Sequence, residues 1–204
     1  MSVRGVILAA GLGSRMGGVK QLIPFRGMPL VQHVIDAARA SRLAHVMLVL
    51  GHAHSEIIPK IDTRGIDTVV NPDFAAGQST SLRCGLTLGP DADGVMFLLG
   101  DQPLVDSAFI DSIVDRFLAE RPWAVVPFYR DRPGNPVVIG RELMEEASAL
   151  GGDTGARGLL RKHARHVLRV DVDDPMILRD VDTMDDYLAL LAASSPVERE
   201  ILRP

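Results

Sequence analysis

The sequence predicts an α/β fold of three layers, with helices covering both faces of a mostly parallel, doubly wound (Rossmann-like) sheet. Two observations lead to this prediction. Several short apolar runs are continuous rather than alternating, which is typical of strands that are buried on both faces. Stretches with apolar residues at helical spacing separate these runs, and strands that alternate with helices of this length form right-handed βαβ units.

Each predicted element follows from a local pattern. The continuous apolar runs predict strands over residues 6–10, 46–50, 68–70, 95–99 and 124–128. Apolar residues at helical spacing predict helices over 30–38 and 109–118, the second with Asp106 or Ser107 as its N-cap. The second half is less regular: a turn-rich stretch at 130–136 precedes predicted helices over 141–149 and 154–163, a strand over 167–172 and a closing helix over 184–192.

Length and composition limit the function classes. A chain of 204 residues fits one domain, which we expect over residues 1–193 with a loosely ordered tail at 194–204. Lysine and arginine number 22 against 26 acidic residues, a net charge of −4 that suits neither nucleic acid nor an anionic membrane. No apolar run approaches the roughly 18 residues of a spanning helix. One cysteine, Cys84, indicates a reducing compartment, so we expect a cytoplasmic protein.

A glycine-rich stretch follows the first predicted strand, where a doubly wound sheet places its ligand crevice. It fits neither of two familiar phosphate-binding patterns. The dinucleotide pattern GxGxxG fails because Met16 stands at its third glycine, and the Walker A pattern fails because Val19 stands where lysine belongs.

The same stretch nevertheless combines glycines with two cations. Gly11 and Gly13 would let the backbone approach a phosphate, while Arg15 and Lys20 supply a guanidinium and an ammonium. A strand-to-helix turn with solvated basic residues is the alternative. Because a carboxylate stands at a later strand end, the combination favours phosphate binding.

Acidic residues at two places are candidate metal ligands. Asp101 directly follows the predicted strand 95–99, and Mg²⁺ is often held by one or two carboxylates together with substrate phosphates. The alternative is a loop residue that caps the next helix. Asp180 and Asp182 are two positions apart, so an extended chain would point both the same way. Asp182 could equally be the N-cap of the closing helix.

Five segments in order resemble the nucleotidyltransferases that mature the molybdenum cofactor. They are residues 8–17, 20–24, 27–30, 100–104 and 180–183, and the resemblance extends to about residue 192. Within that superfamily the chain is most similar to the cytidylyltransferases. Guanylyltransferase relatives typically read Ala-Gly-Gly where this chain has Ala9-Ala10-Gly11, and the cytidylyl type also shows segments like 134–137 and 151–157. One departure is Met184, where relatives usually carry proline.

The resemblance implies a nucleotide-diphospho-sugar transferase-like fold and a Mg²⁺-dependent reaction. CMP would move from CTP to the terminal phosphate of molybdenum-molybdopterin, releasing pyrophosphate and forming molybdopterin cytosine dinucleotide. The implied substrates are CTP and molybdopterin, and a molybdenum hydroxylase is an expected transient partner.

The resemblance also implies site residues. The implied catalytic residues are Arg15, Lys20 and Asp101. The implied nucleotide-binding residues are Leu8, Ala9, Ala10, Gly11, Gly13, Lys20, Asn71, Gly77, Ser79, Ser81 and Asp101, although Ser79 has a helix-cap role as its alternative. Asp101 and Asp182 would hold the metal, and the candidate acceptor contacts are Gln102, Asn135, Asp153 and Arg157. A helix-to-helix connection with a solvated Arg157 is the alternative for residues 151–157.

Three other functions stay open at this point. The enzyme could use GTP or a different acceptor. It could be a nicotinamide-dependent oxidoreductase, since some members of this superfamily are described as acting on pigments. It could also be a non-enzymatic chaperone that delivers the cofactor.

Overall fold

The computed structural model describes residues 2–11, 16, 18–87, 92–152 and 155–193. The strands are β1 (Val3–Ala9), β2 (Pro24–Phe25), β3 (Met28–Pro29), β4 (Val46–Leu50), β5 (Asp67–Val70), β6 (Gly94–Leu99), β7 (Ala124–Tyr129), β8 (Arg132–Pro133), β9 (Val137–Gly140) and β10 (Val167–Asp171). The α-helices are α1 (Leu30–Ala40), α2 (His54–Ile57), α3 (Gln78–Leu86), α4 (Ser107–Glu120), α5 (Arg141–Ser148), α6 (Arg157–Lys162) and α7 (Met184–Ala193).

One mostly parallel sheet organises the fold. Within the described residues its path is β10–β7–β9–β6–β1–β4–β5, and β8 pairs with β7 at the side. Strand β1 pairs in parallel with both β4 and β6, β4 with β5, and β7 with β10. Strands β2 and β3 form a separate antiparallel hairpin. The α/β class and the predominantly parallel sheet are therefore confirmed.

The sequence prediction missed one central strand. Strand β9 is antiparallel to both β6 and β7 and occupies the position between them. All four of its residues are buried, but the run is short, follows a turn-rich stretch and passes directly into α5, whose N-cap is Gly140. Its antiparallel direction matters for the site, because it brings residues before Val137 to the edge where β6 ends.

Helices cover both faces of the sheet in three layers. On one face, alternate residues of β1 such as Ile7 pack with Val34 of α1 and Ile113 of α4. On the other face, Val6 packs with Leu82 of α3 and Leu143 of α5. Continuous apolar strands therefore have a physical reason here, since successive side chains enter two different cores.

The start of α4 follows the predicted local signal. The Asp106 carboxylate accepts a hydrogen bond from the Phe109 backbone N–H at 2.8 Å, so Asp106 is the N-cap of α4. Helix α6 begins at Arg157 rather than at 154, because residues 155 and 156 form a turn.

None of the helices in the described ranges is long and apolar enough to cross a membrane.

The strand order creates a crevice between β1 and β6. The chain proceeds from β1 to β4 and β5 on one side, and then returns to place β6 on the other side of β1. Such a reversal separates the loops at the carboxyl ends of the two strands, which is where open α/β sheets bind ligands. The segments that follow Ala9 and Leu99 are thus the walls of the expected site.

Candidate active site

A cavity of about 500 Å³ opens at the carboxyl ends of β1 and β6. This volume is within the range typical of small-ligand sites. Most of the residues predicted from the sequence line it: Leu8, Ala9, Ala10, Gly11, Lys20, Gly77, Ser81, Asp101 and Asp182. Gly13 and Arg15 lie outside the described residues.

The Lys20 side chain connects two acidic segments that are remote in sequence. Its Nζ donates a short hydrogen bond to Asp101 Oδ2 and another, of 2.6 Å, to Asp182 Oδ1. The Lys20 side chain is 12% exposed, Asp101 is 20% exposed and Asp182 is 50% exposed. The ammonium is therefore held between two carboxylates that line the cavity.

This cluster has more negative charge than one lysine can neutralise. Asp180 also lines the cavity, but its carboxylate accepts a hydrogen bond from Gln102, whereas the Lys20 ammonium bonds Asp101 and Asp182. Burial raises the pKa of Asp180 to about 6, and the charge of Asp101 adds to the effect. Burial likewise raises the pKa of Asp101, against the opposing charge of Lys20. Burial disfavours the Lys20 ammonium, but Asp101 and Asp182 outweigh it and keep the Lys20 pKa above its ordinary value.

The carboxylates fit a hard divalent cation. Asp101 Oδ1 is buried and has no hydrogen-bond partner among the described residues. An unpartnered buried carboxylate oxygen is costly unless a cation or a donor approaches it. In the described part of the chain, no three His, Cys, Asp or Glu side chains converge as a ready metal cage. Asp101 and Asp182 would therefore hold a cation together with water and substrate oxygens, which is how Mg²⁺ is commonly bound.

The acidic segment is extended, as the spacing of its two aspartates predicts. Asp180 and Asp182 both line the cavity, whereas Val181 between them is 2% exposed and packs against Phe25 and Leu190. Asp182 is not the cap of α7. The cap is Thr183, whose hydroxyl accepts a hydrogen bond from the Asp186 N–H at 3.2 Å. Asp182 is thus left to interact with Lys20.

The glycine-rich wall owes its shape partly to a residue that the sequence reasoning missed. Gln21 is 5% exposed, and its Nε2 donates to the carbonyl oxygens of Ala9 at 2.9 Å and Gly11 at 3.2 Å. These bonds fasten the loop after β1 to the turn that carries Lys20. The position directly after Lys20 was the only sequence signal for this role.

Asn71 and Ser79 lie behind the cavity wall rather than on it. Asn71 is 3% exposed, and its Nδ2 donates to Thr80 Oγ1 at 2.8 Å and Ser81 Oγ at 3.0 Å. The Asn71 amide therefore orients Ser81, which does line the cavity. Ser79 is fully buried, and its hydroxyl has no partner within the described residues.

The residues expected to contact an acceptor are dispersed. Gln102 is 2% exposed, and its amide donates to the acidic segment instead of facing the cavity. Asn135 is half-buried just before β9, at the edge where β6 ends. Arg157 is exposed at the start of α6. Asp153 lies outside the described residues.

Phe74, Ala75 and Gln78 also line the cavity, and none of them was among the predicted site residues. Phe74 lines the cavity, and a side chain at Gly51 would come within 2.6 Å of it, so Gly51 makes room for the ring. Gln78, the first residue of α3, also lines the cavity. A Cβ at Gly155 would lie 3.3 Å from Gln78 Oε1, so the loop before α6 reaches the rim of the site.

Comparison with known proteins gives a family. The MobA-like NTP transferase domain matches residues 5–167. The chain is 30% identical to nicotine blue oxidoreductase of Paenarthrobacter nicotinovorans over 93% of this chain and 96% of that protein. It is 25% identical to molybdenum cofactor cytidylyltransferase of Escherichia coli K12, over 90% and 92% respectively.

Solved structures share the fold. The crystal structure of Rv0371c from Mycobacterium tuberculosis H37Rv has a TM-score of 0.85 and 36% identity, covering 94% of this chain and 98% of that one. A complex of Rv0371c with manganese has a TM-score of 0.81 and 35% identity, covering 95% and 100%. The predicted superfamily is thereby confirmed: the chain belongs to the MobA-like nucleotidyltransferase family.

Proposed function

We propose that this protein is a cytidylyltransferase that moves CMP from CTP to the terminal phosphate of molybdenum-molybdopterin, releasing pyrophosphate. The observation that carries the proposal is the position of Lys20 between Asp101 and Asp182, all three of which line the cavity. Family membership supports a nucleotidyl transfer, and the similarity to the Escherichia coli cytidylyltransferase supports this base and acceptor.

The residues that line the cavity suit both parts of a nucleotide. Leu8 to Gly11, Gly77 and Ser81 offer backbone and hydroxyl groups, which suit a base and ribose. The cluster of Lys20, Asp101 and Asp182 suits the triphosphate, with Lys20 contributing an ammonium to the leaving pyrophosphate. The attacking group in this reaction is already a phosphate anion, so the protein needs no nucleophile of its own.

The proposal includes a Mg²⁺ ion. Asp101 and Asp182 would hold it, and the unpartnered Asp101 Oδ1 supports that assignment. The manganese complex of Rv0371c shows that a related protein binds a divalent cation of the same class. When bound, the ion would neutralise charge on the phosphates, while the protein orients them.

The remaining site roles in the proposal are less direct. Asn71 would act by orienting Ser81 rather than by touching the nucleotide. Asn135 lies at the correct edge of the sheet to reach an acceptor, and Arg157 follows the loop that reaches Gln78. A molybdenum hydroxylase would receive the finished cofactor through transient contact.

The test is pyrophosphate release by the purified protein with Mg²⁺ and molybdenum-loaded molybdopterin. We expect release with CTP, little with GTP or ATP, and none when the pterin is omitted. Lys20→Met serves as the inactive comparison. Equal release with GTP would contradict the cytidylyl assignment, and pterin binding without any release would indicate a delivery chaperone.

A second candidate is a nicotinamide-dependent oxidoreductase, which the 30% identity to nicotine blue oxidoreductase favours. Two features weigh against it: Met16 replaces the third glycine of the dinucleotide pattern, and the carboxylate cluster suits a phosphate-bound cation. Absorbance loss from NADH or NADPH with a pigment acceptor, and no pyrophosphate release, would favour the oxidoreductase.

A further inference from the structure

We propose that Gln102 is a positioning residue, which holds the acidic segment Asp180–Asp182 against the end of β6 so that Asp101 and Asp182 face one cation site. The inference rests on the proposed function only in taking these two aspartates as the cation ligands. It replaces the expectation that Gln102 contacts the acceptor.

The hydrogen bonds of Gln102 carry the inference. Its Nε2 donates to Asp180 Oδ1 at 2.7 Å and to the Leu178 carbonyl oxygen at 3.0 Å. Both acceptors are 76 or more positions away in sequence. The opposite amide orientation would place Oε1 against these same oxygens, so the contacts determine which atom is the nitrogen. At 2% exposure, the side chain is not available to a ligand in the cavity.

Gln102 itself is firmly anchored. Its backbone N–H donates to the Leu99 carbonyl at 3.2 Å, and its own carbonyl accepts from Val105 N–H at 3.2 Å. It is therefore part of the tight turn that ends β6 and carries Asp101. The Gln102 side-chain amide therefore attaches the acidic segment to that turn.

The acidic segment needs such a tie. Residues 179–183 belong to neither a helix nor a strand, so no regular hydrogen-bond ladder determines their position. One backbone bond, from Val181 N–H to the Asp101 carbonyl at 3.1 Å, joins them to the turn. Repulsion among Asp101, Asp180 and Asp182 acts in the opposite direction. By bonding Asp180, Gln102 counters this repulsion without adding a charge.

The variant that tests the inference is Gln102→Met, which keeps the length of the side chain and removes its donors. Gln32→Met is the matched control. Gln32 is also buried, at 6% exposure, and its Nε2 donates to a carboxylate, Asp36 Oδ1, at 2.8 Å, but on α1, away from the cavity. Mn²⁺ titration of the nucleotide-free protein and thermal unfolding are measured for both.

We expect Gln102→Met to lose about 10–100-fold in Mn²⁺ affinity, as for other residues that orient metal ligands. Gln32→Met should lower the unfolding temperature and leave Mn²⁺ affinity unchanged.

Two results would overturn the inference: wild-type Mn²⁺ affinity in Gln102→Met, or no Mn²⁺ binding by the wild type. If Gln102→Met does not fold, Gln102→Asn decides the matter, because it keeps the amide but is one methylene too short to reach both acceptors. Failure of the proposed function looks different. In that case Mn²⁺ affinity depends on Gln102 as expected, yet no nucleotide yields pyrophosphate.

Discussion

Lys20 Nζ lies 2.6 Å from Asp182 Oδ1, so a residue of the first crossover contacts one from the last segment before the closing helix. The same ammonium also contacts Asp101. Lysine and cation would therefore share ligands: in the nucleotide-free protein the lysine neutralises the carboxylates that the proposal assigns to Mg²⁺. We therefore expect a Lys20 substitution to strengthen metal binding and to slow catalysis.

Lys20→Met should raise the affinity of the nucleotide-free protein for Mn²⁺, because it removes a positive charge from between two carboxylates. The same variant should lose on the order of 10²–10³ in the rate of pyrophosphate release, because the charge on the leaving group is no longer stabilised. Mn²⁺ titration and a pyrophosphate assay measure the two effects. Lys60→Met, at an exposed position, is the control and should change neither quantity. Weaker Mn²⁺ binding in Lys20→Met would mean that the lysine organises the ligands rather than competing at them.

Asp101→Asn and Asp182→Asn should both weaken Mn²⁺ binding, Asp101→Asn by at least about tenfold. The larger effect is expected for Asp101 because its side chain is 20% exposed against 50% for Asp182, and water screens an exposed charge more effectively. Removing the metal with a chelator should abolish pyrophosphate release, and Mg²⁺ should restore it. Asp185→Asn, an exposed neighbour on α7, is the control. Should Asp185→Asn weaken binding as much as Asp182→Asn, general surface charge would account for the effect.

Ala10→Gly should shift the base preference from CTP towards GTP. Ala10 lines the cavity and is 5% exposed. The resemblance described above gives guanylyltransferases a glycine at this place. A single methyl group in a close-fitting pocket changes selectivity by roughly 10–200-fold. The measurement is the ratio of kcat/KM for CTP and GTP with molybdenum-loaded molybdopterin. An unchanged ratio, with total activity intact, would show that the base is selected elsewhere.

The fold was predictable from the sequence wherever an element shows a pattern of its own, either a continuous apolar run or apolar residues at helical spacing. The parallel strands and the amphipathic helices α1 and α4 follow from runs and spacings that one segment displays by itself. Strand β9 does not, because three apolar residues and a glycine after a turn-rich stretch show no pattern of their own. Its place in the sheet depends on pairing with β6 and β7, which are remote in sequence.

The site was predictable in its residue types but not in its connections. Lysine after a glycine-rich turn and aspartate at a strand end are local signals, and the structure places both at one cavity. The contacts of Lys20 span 81 and 162 positions, and those of Gln102 span 76 and 78. No pattern within a single segment encodes such contacts. For this reason Gln102 was expected to contact a ligand, and the structural role of Gln21 was missed.

Two helical glycines should respond to alanine with opposite signs, which tests how closely α3 packs on the sheet. A Cβ at Gly85 would lie 2.4 Å from Val6 Cγ1, whereas at Gly158 on α6 nothing lies within 4 Å. Overpacking of this kind costs about 1–3 kcal/mol, more than the helix propensity gained.

Gly85→Ala should therefore lower the unfolding temperature by roughly 2–12 °C, at about 2–4 °C per kcal/mol for a chain of this size. Gly158→Ala should raise the free energy of unfolding by about 0.5 kcal/mol, since the unfolded chain loses freedom and nothing clashes. Calorimetry of both variants is the measurement. Stabilisation by Gly85→Ala would mean that α3 can move away from β1. The positions of Ser81 and Gln78, which α3 contributes to the cavity, would then be less firmly determined.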